Sequence, residues 1–275
     1  STNTFVIDNT PPGFATLQPQ NNTRRKILSY ISGTAADSFK HDVSTGIWLY
    51  VKEEGITTKR WTGSVWGDYA GYEETSYSNW FSTGLSGNNW EYQSPNWSHN
   101  RKYTVWARVR DIAGNYSLGW STNVFYFDAY SAVPEQPDSF TLTPASGSAI
   151  AGLASISGTA IDNSLGGINN VKWVLWKECN SWWDGNVWQL PPLPDYTGWP
   201  DPSIISPAGG INPTWTRNTL LPAPADMTDG TTYYIASNAL DLVVNASGAP
   251  DSNYEITRST IIFWWDGAEP ESRTT

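Results

Sequence analysis

At 275 residues the chain can form one large or two medium domains, each able to bury a core of its own. Only 15% of residues are charged, the net charge is −10, and the 16 Lys and Arg are scattered rather than clustered, so a nucleic-acid backbone is a poor partner. The 17 Trp, the frequent Ser, Thr, Asn and Gly, and the shortage of helix formers favour strands with many turns. No apolar run is long enough to insert into a membrane.

In chain order, "STNTFVIDNTPP" (1–12) reads as an apolar strand through Thr4, Phe5, Val6 and Ile7 that stops at Asp8. The chain starts at Ser1 without Met, as expected of a processed product or of part of something longer. "GFATLQP" (13–19) and "ISGTAAD" (31–37) open a module. The stretch 47–52 is apolar on both faces, with Ile47, Leu49 and Val51 on one and Trp48 and Tyr50 on the other. Such a strand needs cover on both sides, from another module or subunit or from its own loops.

"WTGSVW" (61–66) reads as a hairpin in which Thr62 pairs with Val65 around Gly63-Ser64. Trp61 then faces Trp66 across the strands, an aromatic clasp. A long loop rich in Tyr, Gly and Ser covers 69–88. From Tyr103 to Asp111 apolar and polar residues alternate, a strand with one buried face, and "DIAGN" ends it. "STNVFYFD" (121–128) closes the module.

After a stiff linker containing Pro134 and Pro137 the same order returns. "SFTLTP" (139–144) echoes 13–19 and "ISGTAID" (156–162) echoes 31–37. "LWKE" (175–178) lines up with "YVKE" (50–53), which puts Trp173 where Trp48 stands. "WDGNVW" (183–188), "YYIASNALD" (233–241) and "STIIFWWD" (259–266) complete the series. The chain therefore reads as all-β: two tandem immunoglobulin-like β-sandwich domains, residues 13–128 and 139–266, joined by linker 129–138 and followed by a tail, 267–275. The second copy departs from the first by inserting "LVVNASGAPDSN" after Asp241 and by placing Ser237 where Ala107 stands.

This succession of blocks resembles the bacterial immunoglobulin-like repeats of large secreted and cell-surface proteins. The resemblance implies an extracellular, non-enzymatic, strand-built unit of an adhesin or surface fibre, whose partners are copies of itself or neighbouring modules. Residues 1–12 match the closing strand of each module, with Phe5 and Asp8 standing where Phe125 and Asp128 stand. Two readings stand for this orphan strand: the end of a preceding module in a longer array, or a donor strand that pairs with a neighbouring subunit through Thr4, Phe5, Val6, Ile7 and Asp8.

Enzymatic motifs are absent: His41 and His99 lack metal-ligand spacing, and no Ser sits in a nucleophile elbow. No cofactor is expected, although Asp37, Asp42, Asp111, Asp162 and Asp241 lie near loop ends where calcium could be held. Cys179, the lone cysteine, excludes an intrachain disulfide and reads as a packed thiol. From a different class of function, a carbohydrate-binding module could stack sugars of surface glycans on Trp61, Trp66, Trp183, Trp188 or Trp199.

Overall fold

The computed structural model describes residues 7–37, 46–129, 136–162, 164–202, 204–245, 249, 252, 255 and 259–268, without the side chains of Leu85 and Tyr196. The chain divides into two compact units, residues 1–129 with 243–251 and residues 130–242 with 252–275. The second sandwich expected over 139–266 therefore gives up residues 243–251 to the first unit.

The first unit contains β1 (Gly13–Gln18), β2 (Thr23–Arg25), β3 (Tyr30–Ala36), β4 (Ile47–Glu54), β5 (Lys59–Trp61), β6 (Trp66–Asp68), β7 (Phe81–Thr83), β8 (Leu85–Ser86), β9 (Asn89–Gln93), β10 (Arg101–Val109) and β11 (Ser121–Phe127). One sheet has the order β1-β3-β9-β8 and the other β2-β11-β10-β4-β5-β6, with β7 beside β4. The second unit repeats this with β12 (Asp138–Thr143), β13 (Ser148–Ile150), β14 (Ile156–Ile161), β15 (Ile168–Lys177), β16 (Trp182–Trp183), β17 (Trp188–Gln189), β18 (Ile204–Ser206), β19 (Thr214–Arg217), β20 (Thr232–Asp241) and β22 (Ser259–Trp265), whereas β21 (Val243–Val244) belongs to the first unit, beside β2. Its sheets run β12-β14-β19-β18 and β13-β22-β20-β15-β16-β17. In each unit a short strand runs parallel to the closing strand, β2 on β11 and β13 on β22. The strand order and the two-sheet layering are those of an immunoglobulin-like sandwich. No α-helix occurs among the described residues, only single 3₁₀ turns.

Alternation fills each interior. In β10 the inward residues Tyr103, Val105, Ala107 and Val109 are fully buried, and in β4 so are Ile47, Leu49 and Val51. Ile31, Ala35 and Trp90 meet them from the opposite sheet. The second core is built the same way from Val171, Trp173, Leu175, Tyr233, Ile235 and Phe263 against Ile156, Ala160 and Trp215.

Strand pairing corrects two sequence alignments. Val51 lies opposite Val105 and Leu175 opposite Ile235, so Val51 and Leu175 are equivalent. "YVKE" and "LWKE" are thus offset by one residue, and the counterpart of core Trp173 is Leu49, not Trp48. Likewise Thr16 pairs with Gly33 and Thr141 with Gly158, each just before a register shift. That makes Phe14 equivalent to Ser139, while Phe140 points outward, 48% exposed. A third correction concerns Cys179. It is exposed, in a turn that gives it a φ of 65°, rather than packed.

The glycine of "SGTA" has a steric role. A Cβ on Gly33 would lie 2.0 Å from the carbonyl oxygen of Ala15 and 2.5 Å from the Trp90 ring. On Gly158 it would lie 1.8 Å from the carbonyl oxygen of Phe140 and 2.9 Å from the Trp215 ring. Each indole covers the bare glycine of the adjacent strand, Gly33 opposite Trp90 and Gly158 opposite Trp215. Each ring N–H then reaches the next carbonyl, Thr34 O at 3.3 Å or Thr159 O at 3.2 Å.

The second unit exchanges apolar packing for a small buried polar group. Ser139 and Ser237 replace Phe14 and Ala107, and their hydroxyls lie 2.9 Å apart. Glu255, from the segment after the insertion, places Oε2 2.5 Å from Ser139 Oγ and accepts the Ala239 N–H at 2.9 Å. Burial is the largest influence and raises its pKa. Hydrogen bonds from the Ser139 hydroxyl and from the Ala239 and Ser139 backbone oppose this only in part, and nearby Asp138 adds to the rise, so the carboxyl is raised from 4.5 to about 7.

Two outcomes follow. Gly33→Ala and Gly158→Ala should each lower the stability of their own unit by roughly 3 kcal/mol or more, because backbone must move, read as a shifted transition in urea unfolding. For Glu255 the folded pKa lies above the unfolded one, so its stabilising effect is complete below pH 4.5 and lost as pH rises through about 7. The second unit should lose roughly 2–3 kcal/mol across that window, and Glu255→Gln should flatten the profile in thermal melts at stepped pH.

Candidate functional site

The two Trp hexads form matching hairpins. Trp61 pairs with Trp66 and Trp183 with Trp188. Their rings meet edge to face at centroid distances of 5.4 Å and 5.5 Å. Thr62 N–H donates to Val65 O at 3.0 Å, closing the two-residue loop expected there. Gly63 has a φ of 99° and Gly185 one of 103°, with the second loop residue on the ordinary side, so glycine is needed at the first loop position only.

These indoles look inward. Trp61 Nε1 donates to Tyr92 Oη at 2.8 Å, Trp66 Nε1 to Asn96 O at 3.0 Å, Trp183 Nε1 to Leu220 O at 2.8 Å and Trp188 Nε1 to Asp226 O at 2.7 Å. Trp183 is 3% exposed and Trp199 2%. Trp199 lies on Val174 and Ala236, sealing the outer face of β15 and β20. Neither residue has a free ring face on which a sugar could stack, so as sugar platforms Trp183 and Trp199 are corrected here.

Tyr103 and Tyr233, one step into equivalent strands, each reach back five residues. Their hydroxyls accept the backbone N–H of Ser98 at 2.7 Å and of Thr228 at 2.8 Å. This is the tyrosine corner of immunoglobulin-like domains, a feature the spacing Ser98–Tyr103 could have revealed. Tyr103 also donates to Glu53 Oε2 at 2.6 Å. Burial and that carboxylate hold its hydroxyl well above the usual value, so it remains a donor.

Of the N-terminal strand, Thr4, Phe5 and Val6 lie outside the described residues. Ile7 is 69% exposed, and Asp8 O accepts the Asn115 side-chain N–H at 3.0 Å. Asp8, Asp37 and Asp111 bring one carboxylate oxygen each within 4.8 Å of one another. Asp42 lies outside the described residues, whereas Asp162 accepts hydrogen bonds from the N–H and hydroxyl of Ser164. A hard-oxygen set suits calcium in donor type, but three carboxylates supply only part of the six to eight oxygens calcium takes. Both oxygens of Asp111 already accept hydrogen bonds from Asn115, at 2.7 Å and 2.9 Å.

The second face of β4 was apolar in sequence, and its cover is the unit's own loop. Tyr50, opposite Trp106, donates its hydroxyl to Tyr72 O at 2.5 Å, and Trp80 folds over both rings. At the other end of this face Trp48 pairs with Arg108. There the cover is incomplete: Trp48, Tyr77, Trp80, Arg108 and Tyr116 line a recess of about 50 Å³. The Arg108 guanidinium is sandwiched between Tyr77, 4.1 Å from its ring centroid, and Tyr116, 3.9 Å. Sequence reading passed over Arg108 as one more outward residue of an alternating strand. The signal available was a cation on the same outward face as Trp106, close in sequence to a Tyr.

A third strand edge completes the picture. Val243 and Val244 run parallel to Arg24 and Arg25, extending the first unit's sheet beyond β2. Arg25 is fully buried there and donates to Asn245 O, to Gln18 Oε1 at 3.0 Å and to Thr23 Oγ1 at 3.2 Å.

No protein-family model and no curated protein matches the sequence. Among solved structures, the Clostridium thermocellum CbhA fibronectin(III)-like modules are similar over 96% of this chain and 100% of theirs, with 12% identity and a TM-score of 0.38. The D00-D0 domain of Intimin is similar over 91% and 98%, with 12% identity and a TM-score of 0.29. Three N-terminal domains of the bacteriophage RB49 Hoc protein are similar over 94% and 71%, with 8% identity and a TM-score of 0.32. Among the described residues no helix is long and apolar enough to cross a membrane.

A double-mutant cycle on Trp61→Ala and Trp66→Ala should give a coupling energy of about 0.5–1.5 kcal/mol, measured by urea unfolding. A coupling near zero would mean that the two rings act independently.

Proposed function

We propose that this chain is a non-enzymatic structural subunit of an extracellular surface fibre or multi-module adhesin that assembles head to tail through β-strand contacts, with the N-terminal strand pairing with a neighbour. The observation that carries this reading is strand addition within the chain itself. The edge of β2 in the first unit takes β21, a strand drawn from more than two hundred positions away in sequence. The counterpart edge, β13, ends its sheet among the described residues. An edge strand offers unpaired N–H and C=O groups to an incoming strand, and the apolar Phe5-Val6-Ile7 run has the length to pair with three residues. Duplication of the module down to its turn, register shift and clasp supports an array, in which each copy presents the same surfaces to the next.

Electron microscopy and light scattering of the whole chain and of a variant lacking residues 1–12 test this. Linear oligomers with an axial repeat that disappear in the shortened variant are expected. Compact monomers at high concentration in both, or oligomers unaffected by the deletion, would overturn the reading.

A further inference from the structure

The outer face of β4 and β10 contains a feature that duplication does not account for. The clasps, the glycine–tryptophan contacts and the tyrosine corners all occur twice, as shared structural devices do. Among the described residues the Arg108 sandwich occurs once. At the positions equivalent to Trp48 and Arg108 the second unit has Lys172 and Asn238. Asn238 is buried and donates to Glu255 O at 2.9 Å.

We propose that Arg108 and the aromatic residues around it bind an acidic sugar, a pyranose ring bearing a carboxylate. Three observations converge on this chemistry. First, the guanidinium carbon lies 4.1 Å and 3.9 Å from the Tyr77 and Tyr116 ring centroids, contacts that hold the cation through its faces and leave its N–H groups to select a ligand. Second, Arg108 Nε and Trp48 Nε1 are both buried, and neither has a hydrogen-bond acceptor among the described residues. Buried donors are nearly always paired, so two orphans lining one recess mark a place for acceptor oxygens. Third, the charge here is locally inverted. Arg110 lies 5.3 Å from the same Tyr116 ring, and among the described residues neither arginine forms an ion pair. Yet the chain as a whole has 26 acidic residues against 16 basic ones. Lys102 and Lys172, by contrast, have Glu54 at 2.8 Å and Asp201 at 3.1 Å.

Size separates the two parts of the ligand. A recess of about 50 Å³ admits one carboxylate-sized group but not a ring. A carboxylate pairs bidentately with the guanidinium fork and is the smaller of the oxyanions that do so. The ring must then lie outside, where Tyr77, Tyr116 and Trp120 keep 44%, 41% and 43% of their surfaces exposed. Trp120 lies 6.1 Å from Tyr77 and 6.4 Å from Trp80, about one pyranose away from the recess. Sugar C–H groups carry slight positive charge and settle on the negative face of an aromatic ring. An acidic peptide would satisfy the arginine but would make no such use of the rim. The proposal stands independently of how modules assemble.

The test is binding to the whole chain, followed by tryptophan fluorescence and calorimetry. The probes are a hexuronic acid oligomer, a sialyl-terminated trisaccharide, a neutral oligosaccharide of matched length, acetate and oligoglutamate. One or both acidic saccharides should bind, identifying the source of the carboxylate, while the neutral sugar, acetate and oligoglutamate bind at least tenfold more weakly. Arg108→Gln and the exposed variant Trp120→Ala should each weaken binding at least tenfold, with circular dichroism showing an intact fold. Trp120→Ala alone decides if Arg108→Gln misfolds. No binding of either acidic saccharide, equal binding of acetate or oligoglutamate, or undiminished binding by Trp120→Ala would overturn the proposal.

Discussion

A tryptophan ring packed against a glycine of the next strand sets the geometry of both sandwiches. Neither Gly33 nor Gly158 can carry a side chain without moving backbone, and both Trp90 and Trp215 are buried to within a few percent. The indole supplies the packing area that the glycine lacks, so the strand recovers what glycine costs it in a sheet. With that ring in place the inward residues of β4 and β10, and of β15 and β20, have a floor at fixed depth. The clasp and the tyrosine corner then fasten the ends of the same strands. Each is a local device, and each appears in both copies with nearly the same dimensions.

What differs between the copies lies around this frame rather than in it. The first unit fills the space behind β1 with Phe14 against Ala107. The second fills it with Ser139, Ser237 and a carboxyl that burial leaves half protonated near neutral pH. Polar replacement of this kind is tolerated because every member has a partner, and it places a titratable carboxyl where the first unit has Phe14 and Ala107. The substitution tracks the insertion after Asp241, which supplies the strand at Val243 and Val244 and leads into the segment that carries Glu255.

The period-two strands, the hairpin clasps and the duplication were legible in the sequence because each depends on neighbours a few residues apart. The one-residue offset between "YVKE" and "LWKE" was not. Identity of Lys and Glu favoured the wrong match, and only pairing with Val105 and Ile235 reveals which residues face inward. The same limit applied to 47–52, where both faces are apolar and alternation alone gives no sign. Burial of Trp199 and the sandwich around Arg108 arise when long loops fold back over the sheet. Such contacts join residues about thirty positions apart, such as Tyr77 and Arg108, and leave no periodic trace.

The loops also explain why one outer face is sealed and the other is not. In the second unit Trp199 lies on two small residues, Val174 and Ala236, and closes the surface. In the first unit the equivalent positions are Tyr50 and Trp106, whose bulk holds Trp80 at one end of the face. The opposite end, where Trp48 and Arg108 sit, is left with a gap too small for another indole. A sheet that only needed cover would be expected to fill such a gap with an apolar side chain. Instead it holds a cation that forms no ion pair among the described residues and is held between two tyrosine rings. Those ring contacts favour the fold but leave the buried Nε without an acceptor, which is why a further role is sought in what arrives from outside.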